Sequence, residues 1–309
     1  MLLSDALTAY RTFARAGGLS PKTVDWVSSS AGYFRDFLGE VNPDLAALTG
    51  HDLRRFILAL QDKNVFSNHP FNKLQNKKLS PESVSNYIRG VKNLYSFLHR
   101  EGFLKTDPMA KVKLPKKPQT VVSTLSEKES EKLLAQPDKA TPTGYRDYTM
   151  IAAFIDTAMR ISELTSLDLA NVDYEQNLFK IMGKGQKERY VPFGRKLAKL
   201  LMKYQTKYRP ESDSSDAFFL SYDGRRMEPK RVEKIIRGYG RKAGLKRVYP
   251  HLLRHTSAVM FLRAGGDVFS LQRKLGHASL TMTRRYSNLS EIDVRNNHLK
   301  FSPGDRINL

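Results

Sequence analysis

The sequence of 309 residues predicts a mainly α-helical protein of two domains, with a small antiparallel β-sheet in the second domain. Apolar residues recur at helical spacing along most of the chain, and serines suited to helix N-caps precede several of these stretches. Two short stretches on either side of residues 183–185 favour strands instead. The length and the 40% hydrophobic content allow each domain a core of its own.

The first domain, residues 1–110, is predicted to contain four helices. Ser20-Pro21 and Ser80-Pro81 each combine an N-cap hydroxyl with a proline at the first helical position, so each pair begins a helix. The other two helices are expected over residues 4–16 and after Thr49. The helix after Ser80 ends near Gly102 and carries one apolar stripe, formed by Val84, Ile88, Val91, Tyr95 and Leu98.

Two connections in this half of the chain are unusual. The polar stretch 61–80 is long for a compact helical domain, and it is either a DNA-contacting loop or an insertion. Residues 111–118 read Lys-Val-Lys-Leu-Pro-Lys-Lys-Pro, and two prolines with four lysines exclude a helix there. We therefore expect an extended basic linker over residues 111–122.

The second domain, residues 123–309, is predicted to mix helices with the small sheet. Ser126 and Glu129 form a capping-box pattern at the start of its first helix, and a largely apolar helix follows near 145–158. Residues 178–182 and 189–193 are expected to be strands joined across Gly183-Lys184-Gly185. From Pro229 onward the pattern is helical again.

Composition excludes several classes of chemistry and indicates the partner. The chain has no cysteine, which excludes disulfides, thiolate zinc sites and a cysteine nucleophile. It has no basic leader followed by an apolar run and no stretch of about 18 apolar residues, so we expect a cytoplasmic protein without membrane spans. The net charge is +21, with +8 on residues 1–118 and +13 on residues 119–309. Two basic domains suit a protein that binds a phosphate backbone with both.

Four local motifs carry candidate chemistry, although each has an ordinary structural explanation when taken alone. Arg160 precedes Glu163 by three residues, a common ion pair on a helix surface. The glycine-flanked Lys184 fits a polar hairpin turn, and Lys-Ser/Thr does not follow it as a phosphate-binding P-loop requires. Tyr286, nine residues after His277, fits a half-buried core aromatic.

The fourth motif contains two histidines at helical spacing. His251 and His255 stand four residues apart, as paired zinc ligands on a helix do. Position 252 is leucine, however, where the metalloprotease pattern requires glutamate, and no cysteine is available as a further ligand. We therefore expect neither a metal nor a cofactor.

The order of these motifs along the chain resembles the tyrosine recombinase (integrase) family. The resemblance includes the helical first domain, the basic linker, the His-x-Leu-Arg-His-Thr motif at 251–256 and the Leu-Gly-His motif at 275–277 with its downstream tyrosine. It implies a helical core-binding (SAM-like) domain and an α+β catalytic domain. The family's six catalytic positions fall on Arg160, Lys184, His251, Arg254, His277 and Tyr286.

The roles implied by this resemblance agree with the chemistry of the side chains. Two guanidinium groups, of Arg160 and Arg254, suit a phosphate that gains negative charge during attack. Lys184 is expected to protonate the leaving 5′-oxygen, and His251 is expected to take the proton of the nucleophile. His277 is expected to donate a hydrogen bond to the phosphate. Tyr286 would then form a 3′-phosphotyrosyl bond, which conserves the energy of the broken phosphodiester.

The expected partner is double-stranded DNA, bound by a homotetramer on two sites. A second recombinase or accessory DNA-bending proteins are further candidate partners. A basic stretch at 224–247 and other lysines and arginines are candidate DNA contacts, although charge runs are more often solvated helix faces. These candidates are Arg89, Lys92, Lys116, Lys117, Lys187, Arg189, Lys230, Arg231, Lys234 and Arg241.

The sequence departs from the family pattern in a few places and leaves two rival functions open. Ala158 stands where the family usually has glycine, and an additional arm-binding module is not expected before the helical domain. Residues 297–307, beyond the tyrosine, would dock on a neighbouring subunit as in relatives. The rivals are a catalytically silent DNA-binding regulator of the same fold and a type IB topoisomerase. A silent regulator predicts a broken catalytic set, whereas all six positions here carry competent side chains.

Overall fold

The computed structural model divides the chain into two compact units, Met1–Gln119 and Thr120–Leu309. It describes residues 1–64, 77–116, 123–182, 188–277, 279–284, 286, 298–300, 302 and 305. Among the helices within those residues, none is both long and apolar enough to cross a lipid bilayer. The predicted linker 111–122 is therefore described only as far as Lys116, and most of the 61–80 connection lies outside the described residues.

Helices build the described part of the first unit, as the sequence predicts. They are α1 (Leu3–Ala16), α2 (Pro21–Leu38), α3 (Gly50–Asp62) and α4 (Pro81–Arg100). The two predicted N-caps are confirmed, because the Ser20 hydroxyl accepts from the Thr23 backbone N–H at 3.3 Å and the Ser80 hydroxyl accepts from Ser83 at 3.1 Å. Each cap satisfies a backbone donor that the first helical turn leaves free.

Helix α4 is the centre of the first unit's core. It buries the predicted stripe together with neighbouring positions, and Ile88, Tyr95 and Leu98 are fully enclosed. At Gly90 this helix approaches α2 so closely that an added Cβ atom would lie 2.2 Å from the Ser30 hydroxyl oxygen. A side chain at position 90 would therefore push the two helices apart.

The start of the linker packs on this unit. Val112 is 3% exposed and belongs to the helical core of the first unit. The Lys92 ammonium group donates to the carbonyl oxygens of Ala110 at 3.0 Å and Val112 at 2.6 Å. Lys92, a candidate DNA contact, therefore holds the start of the linker against α4.

The second unit combines helices with the predicted small sheet. Its helices are α5 (Glu127–Leu134), α6 (Pro142–Thr157), α7 (Ile161–Thr165), α8 (Arg195–Lys203), α9 (Pro229–Lys242), α10 (Pro250–Arg263), α11 (Val268–Leu275) and α12 (Leu280–Arg284). The capping box at the start of α5 is confirmed: the Ser126 hydroxyl accepts from the Glu129 N–H, and the Glu129 carboxylate accepts from the Ser126 N–H.

The sheet has three antiparallel strands in the order β1-β2-β3. They are β1 (Val172–Asp173), β2 (Leu178–Met182) and β3 (Glu188–Pro192), and Ile181 pairs with Arg189 in the register of the last two. Strand β3 starts one residue before the prediction, and β1 was not predicted because two residues are too few to show alternation. The connection between β2 and β3, with Lys184 and Lys187, lies outside the described residues.

Helices α6 and α10 pack against each other in the core of the second unit. Helix α6 ends at Ala158, whose φ of +57° is left-handed and whose N–H donates to the Phe154 carbonyl at 3.1 Å. Glycine adopts this conformation without strain, which accounts for the glycine that the family resemblance implies at this position. Here the methyl group is fully buried in a small apolar cluster that also contains Tyr286.

Candidate active site

The turn between α6 and α7 places the first candidate arginine. Arg160 is the N-cap residue of α7, and its backbone N–H donates to the Glu163 carboxylate at 2.7 Å. The Arg160 guanidinium pairs with the same carboxylate at 2.8 Å. The i, i+3 pair that the sequence allowed is therefore present. It orients the arginine, since Arg160 remains 31% exposed while Glu163 is buried.

Glu163 joins two arginines from distant parts of the chain. Its second oxygen accepts from the Arg189 guanidinium of β3 at 2.9 Å. Burial alone would raise the pKa of Glu163, but the charge of Arg189 and the hydrogen bonds from both arginines outweigh it and hold that pKa below its ordinary value. The carboxylate is therefore ionised at neutral pH and fixes the positions of both guanidinium groups.

Arg189 and Lys274 attach helix α11 to the rest of the site. The Arg189 guanidinium donates to the Lys274 carbonyl oxygen, and the Lys274 ammonium donates to the Asp156 carbonyl at 2.8 Å. Burial lowers the pKa of Lys274. These contacts link β3 and the end of α6 to the helix that precedes His277.

Arg254 is the buried arginine of the site. It is 4% exposed, and its guanidinium donates to the carbonyl oxygens of Ala158 at 2.6 Å and Leu275 at 2.7 Å. Burial and the nearby positive charge of Arg160 lower the pKa of Arg254 to about 10, so it remains charged at neutral pH. The side chain thus spans the end of α6 and the end of α11.

His277 lies in the same network. One Arg254 nitrogen lies 3.3 Å from His277 Nε2, and the Thr283 hydroxyl lies 2.9 Å from Nδ1. Arginine has no acceptor atom, so Nε2 accepts from it and the ring proton resides on Nδ1. The left-handed Gly276, with a φ of +60°, ends α11 and turns the chain toward this position.

Tyr286 is buried among the catalytic candidates. It is 3% exposed, and its ring stacks on that of His277 with an interplanar angle of 11°. Its hydroxyl oxygen lies 2.7 Å from Nδ1 of His255. His251 is exposed at the start of α10, one helical turn before His255.

The structure thus brings together residues that are far apart in sequence. Arg160, Glu163, Arg189 and Tyr286 all lie close enough to Arg254 to affect its pKa. Lys184 lies outside the described residues, so its place at the site stays a prediction. Within the described part of the chain, no group of three His, Cys, Asp or Glu side chains is arranged to hold a metal ion.

The candidate DNA contacts occupy different environments. Lys92 and Arg189 donate to groups of the protein itself, and Lys117 and Lys187 lie outside the described residues. DNA contact stays a prediction for all ten candidates. The remaining candidates are exposed: Arg89, Lys116, Lys230, Arg231, Lys234 and Arg241.

Glu163 and His255 were not among the predicted catalytic residues. Glu163 was recognised only as an ion-pair partner of Arg160, and His255 only as half of a rejected zinc pair. The available signal was that each lies within three residues of a candidate catalytic arginine, in the same motif. Their roles depend on Arg189 and Tyr286, which lie 26 and 31 residues away in sequence.

The model of the phage integrase family matches residues 123–292, more than half of the chain. The chain belongs to the phage integrase family. The chain is 33% identical over 291 residues to tyrosine recombinase XerC of Oceanobacillus iheyensis, covering 92% of this chain and 91% of that protein. These similarities show that the activity of the chain is tyrosine-type site-specific DNA recombination.

Solved structures confirm the predicted fold. A crystal structure of XerA recombinase matches with a TM-score of 0.53 and 25% identity, covering 97% of this recombinase and 99% of that chain. The Tn1549 transposon integrase, solved in complex with a circular intermediate DNA, matches with a TM-score of 0.72 and 17% identity over 96% and 98% of the two chains. Neither the silent regulator nor the topoisomerase is favoured by any of these similarities.

Proposed function

We propose that this recombinase cleaves and rejoins duplex DNA with Tyr286 as the nucleophile, and that it exchanges strands in pairs through a Holliday junction. The observation that carries the proposal is the buried network around Arg254. This one side chain contacts the carbonyl of Ala158, two residues before Arg160, and also His277, whose ring stacks on Tyr286. Catalytic candidates from three parts of the sequence therefore converge on one buried network.

In this proposal Arg160 and Arg254 hold the phosphate that is attacked. Glu163 fixes Arg160, and two carbonyl oxygens fix Arg254, so groups of the protein itself orient both guanidinium groups. Guanidinium donors that are already in place stabilise the charge that develops on the non-bridging oxygens without a cost of reorganisation at that moment. The three hydrogen bonds made by Arg254 use three of its five N–H donors.

The chemistry consists of two transfers at phosphorus. The Tyr286 oxygen bonds to phosphorus while the bond to the 5′-oxygen breaks, and the hydroxyl proton passes to a histidine of α10. Lys184 supplies a proton to the 5′-oxygen, a role supported by the family resemblance. A 5′-hydroxyl of the partner strand then attacks the 3′-phosphotyrosyl bond and releases the tyrosine, which conserves bond energy and needs no ATP.

We further propose that the DNA lies against the basic face of α9. Lys230, Arg231 and Lys234 are exposed there, and the chain carries a net charge of +21. The Tn1549 integrase complex supports DNA as the ligand of this fold. Pairwise exchange between two sites requires four active sites, so the working unit is a homotetramer in the cytoplasm. A second recombinase or DNA-bending proteins would join it at some sites.

A covalent capture experiment tests the proposal. The protein is incubated with fragments of its source genome, the mixture is denatured with detergent, and protein-linked DNA is recovered and sequenced. A duplex that contains the recovered site and a nick beside the cleavage point then traps the intermediate. We expect an adduct with the wild type and none with Tyr286→Phe. An adduct of equal yield from both proteins would disprove the nucleophile assignment.

A further inference from the structure

The contact between His255 and Tyr286 is the feature from which we draw a further inference. The Tyr286 hydroxyl oxygen and His255 Nδ1 are 2.7 Å apart, the length of a strong hydrogen bond. Tyr286 is 3% exposed, so its hydroxyl is largely withdrawn from bulk water. A buried hydroxyl requires a protein partner, and in this structure the histidine serves as one.

The direction of this hydrogen bond depends on the histidine tautomer. A phenol both donates and accepts, whereas a neutral histidine accepts only at the ring nitrogen that lacks a proton. With the proton of His255 on Nε2, its Nδ1 accepts from the tyrosine. The bond to be broken during nucleophilic attack, the O–H bond, then already points at a nitrogen base.

His277 is less suited to receive this proton. Its Nε2 accepts from the Arg254 guanidinium, and its Nδ1 carries the proton that is donated to Thr283. Taking up a further proton would break the hydrogen bond to Arg254. Moreover, the His277 ring lies nearly parallel to the ring of Tyr286, with their centroids 6.4 Å apart.

His255 is also rigidly connected to the phosphate-binding arginine. It directly follows Arg254 on α10, and the neighbouring residues Leu253 and Thr256 are fully buried. The Thr256 hydroxyl accepts from the Leu125 N–H at 2.9 Å, which fixes this turn of the helix to the start of the unit. A base on a helical turn fixed in this way needs little reorganisation to accept a proton.

We propose that His255 is a further catalytic residue of this recombinase and that its Nδ1 takes the Tyr286 hydroxyl proton as the oxygen attacks phosphorus. The O–H bond breaks, the oxygen–phosphorus bond forms, and neutral His255 becomes an imidazolium. In rejoining, the phosphorus–tyrosine bond breaks and the imidazolium returns the proton to the phenolate. This inference rests on the proposed role of Tyr286 and transfers proton uptake from His251 to His255.

The test measures single-turnover cleavage of a site-containing duplex by several variants. His255→Ala removes the nitrogen, and His255→Asn places an amide near the Nδ1 position without a basic group. His51→Ala, at an exposed histidine of α3, is the control. We expect both His255 variants to cleave about 10²–10⁴-fold more slowly, with DNA affinity unchanged, while the control cleaves normally. Cleavage by His255→Asn at the wild-type rate would overturn the proposal, because a hydrogen bond alone would then suffice.

A second measurement separates proton transfer from a structural role. Tyr286 is replaced by a ring-fluorinated tyrosine, whose hydroxyl loses its proton more readily. If His255 is the base, fluorination restores most of the lost rate in His255→Ala and changes the wild-type rate little. An equal effect of fluorination in both backgrounds would overturn the inference. Adduct formation by Tyr286→Phe would instead refute the proposed function itself.

Discussion

Glu163 and Arg189 form an ion pair, with 2.9 Å between Oε2 and Nη2, that ties the short helix α7 to strand β3. The other carboxylate oxygen of Glu163 pairs with Arg160 at 2.8 Å. One buried acidic side chain therefore positions two arginines of a strongly basic site. The negative charge of this carboxylate offsets the repulsion between the two positive charges.

Replacing this carboxylate should destabilise the protein substantially. Glu163→Gln leaves the largely buried guanidinium of Arg189 without its counter-charge, so we expect a loss of about 3 kcal/mol in the free energy of unfolding. The matched control is Glu233→Gln, which removes an exposed i, i+4 pair with Arg237 and should cost less than about 1 kcal/mol. Urea unfolding measures both variants, and equal losses would contradict a special role of Glu163.

The same pair predicts a pH dependence. The pKa of Glu163 is lowered in the folded state, so its stabilising contribution is complete above the ordinary pKa of about 4.3 and is lost as pH falls through the folded value. The difference in unfolding free energy between the wild type and Glu163→Gln should therefore shrink between pH 5 and pH 3. A difference that stays constant over this range would show that the carboxylate charge does not stabilise the fold.

Positive charge should have separate roles in binding and in cleavage. Lys234→Ala, on the exposed face of α9, should lower the slope of log affinity against log salt concentration by about one and leave the chemistry of bound DNA unchanged. Arg160→Ala should bind nearly as well as the wild type and cleave at least about 100-fold more slowly. Filter binding over a salt series and single-turnover cleavage measure the two effects. Weaker binding with normal cleavage in Arg160→Ala would contradict the assignment of Arg160 to cleavage rather than to binding.

The helix contact at Gly90 predicts a stability effect in the first unit. Gly90→Ala forces a methyl group against Ser30 and should cost about 1–3 kcal/mol. Gly32→Ala is the control, because a Cβ atom at this α2 position meets nothing within 4 Å. It should be neutral or stabilise by up to about 1 kcal/mol. Thermal unfolding measures the melting temperature of both variants. Similar shifts in melting temperature for Gly90→Ala and Gly32→Ala would argue against tight packing at Gly90.

Features set by neighbouring residues were predictable from the sequence. The caps at Ser20, Ser80 and Ser126 depend on residues at most three positions away, and all three are confirmed. Strand β2 was predicted with its observed bounds. Strand β1 was missed because its two residues are defined by pairing with β2 rather than by a pattern of their own.

Features that depend on tertiary packing were not predictable in the same way. Arg189 was classed as a DNA contact by its charge, whereas the fold places it against Glu163. The charge count likewise gave no sign that Lys92 binds the start of the linker. The hydrogen bond between His255 and Tyr286 joins residues on separate elements, so only the folded chain shows it.

Identification of the residue that carries the DNA tests the central claim most directly. The trapped adduct is digested with nuclease and protease, and the peptide linked to a 3′-phosphate is sequenced by mass spectrometry. We predict a single modified peptide with the nucleotide on Tyr286. A nucleotide on any other residue, or a linkage through a 5′-phosphate, would contradict the account.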